Sequence, residues 1–195
     1  MSGILTDSAI LTAVTTGDIL IEPFRLDQVN PSSYDLTLGP EVRVYEDWVD
    51  MEGGEQHIYP RSRILDVKQE PRTMTFQIPE EGIVLRTGIG YLMHTAERVR
   101  SLKYNPVLDG KSSIARLFLQ VHAAGYGDLG FDGQYTLEVT AVHPIRVYAG
   151  MRIAQMRFHT MHGEVGRPYS EVGHYTGEAA RGAVASHAWK QFQEK

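Results

Sequence analysis

The sequence predicts a single domain built mainly of β-strands, and two patterns in the chain support this fold class. From Thr73 onward, short runs in which apolar and polar residues alternate recur about every dozen residues, a spacing typical of β-sandwiches and barrels. Glycines separate most of these runs, as turns between strands require. The 195 residues, 42% hydrophobic and 22% charged, are enough for one domain with a sizeable buried core.

The first predicted element is a helix over residues 6–16. Thr6 is suited to cap its N-terminus, Ile10 and Val14 share one face, and Gly17 is typical of the residue that follows a helix. A second helical turn, much weaker in its periodicity, is predicted over residues 111–116.

The predicted strands begin after a turn at residues 30–33. Residues 46–72 are polar and contain glycine and proline, so we expect a long excursion on the surface between the early strands and the later ones. The predicted strands are 34–39, 42–45, 74–78, 83–86, 91–97, 106–108, 117–122, 134–142, 145–148 and 151–159.

The C-terminal segment, residues 163–195, contains few aliphatic side chains and several glycines. Two interpretations remain open from its composition: a frayed tail, or a segment that orders over a ligand. Composition alone slightly favours the tail.

Charge and composition exclude several classes of function. The net charge is −5, so the chain has no general attraction for DNA or RNA, and an anionic ligand must be bound by a local basic cluster. This favours a small nucleotide over a polymer. The absence of cysteine excludes disulfides and cysteine-ligated zinc centres, including the His/Cys/Cys site of zinc-dependent nucleobase deaminases. No metal-binding spacing, long apolar run or signal pattern is present, so we expect no protein-held metal and a cytoplasmic location.

Residues 110–116 form the first motif with chemical potential. Gly110 permits a close backbone approach, the hydroxyls of Ser112 and Ser113 can donate to phosphate oxygens, and Lys111 and Arg116 supply positive charge. The alternative is a polar turn that begins a short helix, because strings of this kind also occur by chance.

The second motif is the glycine-dense loop at residues 127–133, which contains Asp128. Asp and Gly dominate turns because Asp bonds its own backbone and Gly tolerates a positive φ, so a plain β-turn is the alternative here.

The third motif is the predicted strand that carries Glu138. On a strand, Thr136, Glu138 and Thr140 share one face, and Leu137 and Val139 occupy the other. Glu138 is either a solvent-exposed glutamate or a carboxylate in a pocket. In the second case, burial would raise its pKa and prepare it to move a proton between water and a leaving amine.

The order and spacing of these three motifs resemble those of the dCTP deaminase and dUTPase superfamily, and within it the dCTP deaminases. The resemblance covers residues 4–192. Shorter matching stretches support it at residues 5–7, 30–36, 121–122, 144–145, 150–153, 167–169 and 182–186.

This resemblance implies roles for individual residues. Glu138 matches the catalytic glutamate, which deprotonates a water that attacks C4 of cytosine and then protonates the departing ammonia. Ser112 and Arg116 would position that water and the glutamate. The implied nucleotide contacts are Lys111, Ser112, Ser113 and Arg116 at the triphosphate, Asp128 at the sugar, Thr136 at the base through its backbone, and Tyr169, His174 and Glu178 in the closing C-terminal segment. In dUTPase-type relatives, Asp128 would instead activate water against the α-phosphate.

The resemblance also implies an overall organisation. It predicts a jelly-roll-like, dUTPase-type distorted β-barrel with short helices over residues 1–195, with 163–195 as a C-terminal lid, which reverses the interpretation from composition. It further implies a homotrimer whose active sites lie between subunits, and Mg²⁺ that arrives with the nucleotide triphosphate.

Departures from the family pattern leave the activity open. Lys111 and Phe131 match bifunctional members that also form dUMP, whereas residues 114–115 and 182–186 match monofunctional deaminases. Family members usually carry a lysine near His174 and a glutamine near Glu178, and residues 179–180 look inserted here, so a modified cytosine nucleotide or a lower phosphate is also a candidate substrate. The three functional hypotheses are a dCTP deaminase, a bifunctional enzyme or dUTPase that uses Asp128, and a non-catalytic binding module.

Overall fold

The computed structural model describes residues 3–45, 49–52, 55–58, 64–122, 125–175 and 177–193; side chains are not described at 49–52, 55–58 and 178. The strands of these ranges are β1 (Ile19–Glu22), β2 (Val29–Asn30), β3 (Ser33–Thr37), β4 (Glu41–Tyr45), β5 (Val49–Glu52), β6 (Glu55–Ile58), β7 (Thr73–Gln77), β8 (Ile83–Leu85), β9 (Tyr91–Ser101), β10 (Tyr104–Gly110), β11 (Leu119–Val121), β12 (Asp132–Ala141), β13 (Ile145–Val147) and β14 (Arg152–Thr160). The α-helices are α1 (Asp7–Thr16), α2 (Ser112–Ala115) and α3 (Tyr169–Val172).

Two antiparallel sheets form the body of the fold, which is mainly β as predicted. The larger sheet has the order β11-β12-β9-β4-β7, and β1 pairs with β9 beside this path. The second sheet has the order β10-β14-β3-β2. Buried side chains from both sheets and from α1 pack into one hydrophobic cluster.

The predicted strands are confirmed, with small differences in their ends. The strand that was expected to end at residue 97 continues to Ser101, because β9 extends to pair with both β1 and β12. Strands β1 and β2 were not predicted from the sequence, and neither was the β5–β6 hairpin within the expected surface excursion. Other parts of that excursion, residues 46–48, 53–54 and 59–63, lie outside the described residues.

The N-terminal helix follows its prediction except at its cap. Gly17 adopts a left-handed φ of 80° and ends the helix as expected. Thr6 lies at the N-cap, but its hydroxyl makes no bond to the helix backbone and instead contacts the Ser8 hydroxyl at 3.2 Å. The expected side-chain cap is therefore wrong.

Strand β12 has the alternation that its sequence predicts. Leu137 and Val139 are buried in the core, and Thr136, Glu138 and Thr140 lie on the opposite, partly open face. Neighbouring strands hold β12 on both edges, since Leu137 pairs with Met93 of β9 and the following residues pair with β11. The strand is therefore a rigid support for the side chains on its open face.

We expect Leu137→Ala to lower the free energy of unfolding by about 2–5 kcal/mol, because it leaves a cavity at a fully buried position. The matched control is Leu26→Ala, where the leucine is 68% exposed and the change should stay within about 0.5 kcal/mol. Urea denaturation followed by tryptophan fluorescence measures both. Equal effects of the two substitutions would contradict the assignment of Leu137 to the core.

Candidate active site

A cavity of about 480 Å³ lies over the open face of β12. Gln134, Thr136 and Glu138 form its floor, the loop that contains Asp128 and Phe131 forms one side, and the C-terminal segment covers it. Its volume suits a small organic ligand. The structure thus brings the second and third sequence motifs and the C-terminal segment into one site.

Glu138 is half-buried in this cavity. Burial raises the pKa of its carboxyl above the ordinary value, because the ionised form loses solvation; a backbone hydrogen bond and the nearby His122 partly oppose the shift. The His122 N–H donates to the Glu138 carbonyl at 2.8 Å and joins the start of the next loop to this strand. A carboxyl in such surroundings holds a proton more readily than a fully solvated one, as a group that accepts and returns protons requires.

The C-terminal segment is attached to β12 by two hydrogen bonds at alternate residues. The Gly182 N–H donates to Gln134 Oε1 at 2.8 Å, and the Val184 N–H donates to Thr136 Oγ1 at 3.0 Å. Between these bonds, Ala183 is buried. We call residues 180–186 the strap. These contacts tie this part of the segment to the sheet; that the segment closes over a ligand stays a prediction.

Gly133 makes the close approach of the strap possible. A side-chain carbon at residue 133 would lie 2.3 Å from Cβ of Ala180, so any larger residue there would displace the strap. Ala180 is itself buried by this contact. The small residue on the strand and the small residue on the strap are therefore complementary.

Aromatic side chains join the Asp128 loop to the C-terminal segment. The ring of Phe131 lies 4.5 Å from that of Tyr135 and 6.0 Å from that of Tyr169, measured between centroids. Tyr169 Oη accepts a hydrogen bond from the Tyr175 N–H at 3.2 Å. The Tyr175 ring stacks on His187 at 4.6 Å, and its hydroxyl accepts from the His187 N–H. This chain of contacts holds the cover of the cavity together.

Asp128 lines the cavity with its side chain exposed to solvent. The preceding Gly127 allows the loop to pack tightly, because a Cβ at that position would lie 2.4 Å from Tyr135 Oη. Burial raises the pKa of the Tyr135 phenol, and the charge of Asp128 adds to this shift. Tyr135 therefore remains a neutral phenol beside the Asp128 carboxylate.

The first sequence motif, residues 110–116, does not line this cavity. Helix α2 and the residue after it carry Ser112, Ser113 and Arg116, which are exposed and do not line the cavity. Lys111 instead binds Asp35 of β3 through both carboxylate oxygens, at 2.8 and 2.7 Å. Within one chain, the cationic motif and Glu138 are not brought together.

Three further residues of the C-terminal segment were predicted to contact the ligand: Tyr169, His174 and Glu178. His174 is exposed and does not line the cavity, whereas Tyr169 does. The side chain of Glu178 lies outside the described part of the structure. Which of the predicted residues contact a nucleotide stays a prediction.

Tyr45 is a residue of the site that was not predicted from the sequence. It ends β4, lines the cavity with Glu138 and Tyr175, and has a phenol pKa raised by burial and then by the charges of those two residues. The alternation of β4 places Tyr45 on the same face as Arg43, opposite the buried Val42 and Val44. The alternation of β4 in the sequence could have predicted that Tyr45 lies on the outer face of the sheet. It does not predict that this part of the face borders the cavity.

Over the ranges given above, no three His, Asp or Glu side chains cluster closely enough to hold a metal ion. No helix in the same ranges is long and apolar enough to cross a membrane.

Comparisons with known proteins agree on one family. A family model described as dCTP deaminase-like matches residues 4–161. A relative from Hathewaya histolytica, named "dCTP deaminase, dUMP-forming", is 43% identical over 148 residues, which are 75% of this chain and 77% of the relative. A relative of the same name from Leptospira biflexa is 39% identical over 193 residues, which are 98% of this chain and 99% of the relative.

A solved structure shares the fold. The 2'-deoxycytidine 5'-triphosphate deaminase from Agrobacterium tumefaciens superposes with a TM-score of 0.58 at 25% sequence identity. The match covers 83% of this chain and 49% of that one, so the chain spans about half the length of the solved protein.

We expect Glu138→Gln to stabilise the fold at pH 7. The folded state holds the Glu138 proton more tightly than the unfolded chain does, so ionisation of Glu138 costs stability above its raised pKa. Gln stays neutral and avoids this cost. The gain should disappear as the pH falls through the raised pKa toward the ordinary value of 4.5.

Urea denaturation at a series of pH values measures this gain. Glu80→Gln, at an exposed position, is the matched control. It should leave the free energy of unfolding nearly unchanged at every pH. A Glu138→Gln variant that is less stable than the parent at pH 7 would show that the ionised carboxylate has a stabilising partner in the fold.

Proposed function

The chain belongs to the dCTP deaminase-like family, and on that premise we propose that it is a hydrolase that converts dCTP, in two steps, to dUMP. The observation that supports this proposal most directly is the half-buried Glu138, whose pKa burial raises, in a cavity that Asp128 also lines. The names of the relatives, which are dUMP-forming deaminases, favour two steps over one.

In the first step, Glu138 is the general base. It takes a proton from a water molecule whose oxygen attacks C4 of cytosine, and it passes this proton to the ring nitrogen N3 as the tetrahedral intermediate forms. Glu138 then takes the proton of the new 4-hydroxyl group and delivers it to the 4-amino group, so that ammonia leaves as the C4 carbonyl forms. The raised pKa supports both halves of this cycle, because the carboxyl must accept a proton and then release it.

In the second step, water attacks the α-phosphate of dUTP and pyrophosphate leaves, which gives dUMP. Asp128 is the proposed base, because it is a carboxylate at the rim of the same cavity and is exposed to water. Mg²⁺ enters with the triphosphate as part of the substrate. Tyr169 and the strap close over the nucleotide and exclude bulk water.

A second copy of the chain completes the site in this proposal. The described residues that line the cavity include the carboxylates of Asp128 and Glu138 and no lysine or arginine, an unfavourable environment for a triphosphate. Ser112, Ser113 and Arg116 are exposed on the same chain and do not line the cavity. We place them in the site of a neighbouring subunit of a homotrimer, the arrangement that the family resemblance implies.

Product analysis after incubation with dCTP and Mg²⁺ tests the proposed reaction. The protein should release ammonia and pyrophosphate and form dUMP. Glu138→Gln should release no ammonia because it lacks the base. Asp128→Asn should continue to release ammonia but stop at dUTP, and the matched control Asp18→Asn should behave as the parent does.

The other outcomes separate the alternative functions. If dUTP is the only product of the parent, the protein is a monofunctional deaminase and Asp128 has no role in catalysis. If only dUTP is consumed, the protein is a dUTPase. If neither nucleotide changes and Glu138→Gln alters nothing measurable, a binding module or a different substrate replaces the proposed function.

Complementation tests whether the site is shared between copies. Glu138→Gln and Arg116→Ala should each be nearly inactive alone, but oligomers that contain both variants should recover roughly a quarter of the parental activity, because randomly mixed subunits form some intact sites. Mixing must follow dissociation, or the two variants must be co-expressed. If mixed oligomers gain nothing over the single variants, Arg116 and Glu138 act within one chain.

A further inference from the structure

The carboxylate of Asp35 is almost fully buried, with only 1% of its side chain exposed. It accepts two hydrogen bonds from Lys111 Nζ and one from Asn30 Nδ2 at 2.9 Å, and the Arg152 guanidinium lies 3.5 Å away. An ionised carboxylate is costly to bury without a partner. Lys111 and Arg152 are therefore the counter-charges that Asp35 requires.

The backbone of Lys111 is fixed as firmly as its side chain. Its N–H donates to the Ile153 carbonyl of β14 at 3.1 Å. Its carbonyl accepts from the Ile114 and Ala115 N–H groups, each at 2.9 Å, and so begins helix α2. Lys111 thus links β3, β14 and α2, and α2 leads to Arg116.

The base of this link is rigid because Asp35 lies in a buried polar network. Gln28 Nε2 donates to the Asp35 carbonyl at 2.7 Å and to Glu97 Oε1 at 2.9 Å. Glu97, 1% exposed, also accepts from the N–H and the hydroxyl of Thr37. These bonds hold the Asp35 carbonyl and the backbone of Thr37, so the Asp35 carboxylate is a fixed point.

The positive charge of Lys111 is largely neutralised by Asp35 within the fold. An ammonium has three protons to donate, and the two short contacts to Asp35 occupy two of those directions and neutralise the charge. Arg116 differs, since no ion pair to it is found among the described residues and its side chain is exposed. Of the two cations of this motif, only Arg116 is available to a ligand at full charge.

We propose that Lys111 is a positioning residue: its buried ion pair with Asp35 sets the place of Ser112 and Arg116, and Lys111 does not itself bind the triphosphate. This inference rests on the proposed function, in which Ser112 and Arg116 serve the active site.

The two possible roles of Lys111 predict opposite effects for Asp35→Asn. If Lys111 binds phosphate, loss of the Asp35 charge releases the ammonium and lowers KM for dCTP. If Lys111 positions α2, the same change loosens the motif and lowers kcat/KM. Asn keeps the size of the side chain, removes the charge and replaces one acceptor oxygen with an NH2 donor.

The kinetic experiment compares Asp35→Asn, Lys111→Met and Lys111→Arg, with Lys103→Met as the control. Lys103 is a lysine that pairs with Asp18 on the surface at 3.3 Å. Asp35→Asn and Lys111→Met should each lower kcat/KM about tenfold to a hundredfold, the effect of a small misplacement of reacting groups. The factor by which kcat/KM falls should be the same for dCTP and dCDP. Lys111→Arg should keep most of the parental kcat/KM, and Lys103→Met should leave it unchanged.

The kcat/KM of the double variant Asp35→Asn/Lys111→Met should be no lower than that of either single variant, because each substitution breaks the same Lys111–Asp35 ion pair. A lower KM for dCTP in Asp35→Asn, or a Lys111→Met effect that shrinks from dCTP to dCDP, would assign Lys111 to phosphate binding. If Asp35→Asn does not fold, Lys111→Met and Lys111→Arg still decide between the roles.

Hydrogen exchange gives a result that does not depend on activity. The amides of Ile114 and Ala115, which donate to Lys111, should exchange about tenfold faster in Lys111→Met and at the parental rate in Lys103→Met. Unchanged exchange in Lys111→Met would overturn the positioning role. A parent protein that releases no ammonia would overturn the proposed function instead, while the exchange result would still decide the role of Lys111.

Discussion

The pairing of β12 with its two neighbours is the constraint on which the site depends. Side chains alternate along a strand with a period of two, so burial of Leu137 and Val139 forces Thr136 and Glu138 onto the other face. A slip of one residue would bury Glu138 in the apolar core and expose Leu137. The core therefore determines the register, and the register determines where the carboxylate stands.

Carboxylates in this fold have different roles because their partners differ. Asp35 and Glu97 are buried and fully hydrogen-bonded, which makes them fixed points of the structure. Glu138 is only half-buried, and burial is the main influence on its pKa. Deep burial with partners fixes a carboxylate in place, whereas partial burial raises the pKa of Glu138 and favours its protonated form.

Local sequence patterns predicted the parts of the structure that local physics determines. Alternation identified the face of β12, and Gly17 identified the end of α1. The tail could not be resolved from composition, because its attachment depends on backbone N–H groups that any residue there would supply to Gln134 and Thr136. The partner of Lys111 lies 76 residues away in the sequence, so the spacing that suggested a phosphate contact gave no sign of the ion pair.

The attachment of the strap has a consequence for how the lengths of related chains can vary. Gly182 and Val184 contact β12 at every second residue, in step with Gln134 and Thr136. A single insertion or deletion between Ala180 and Val184 would turn the buried Ala183 outward and direct the wrong amide at Thr136. Relatives that keep the strap should therefore differ in length N-terminal to Ala180, within the short 3₁₀ turn Gly177–Ala180 that this residue ends. The spacing between Ala180 and Val184 should be preserved.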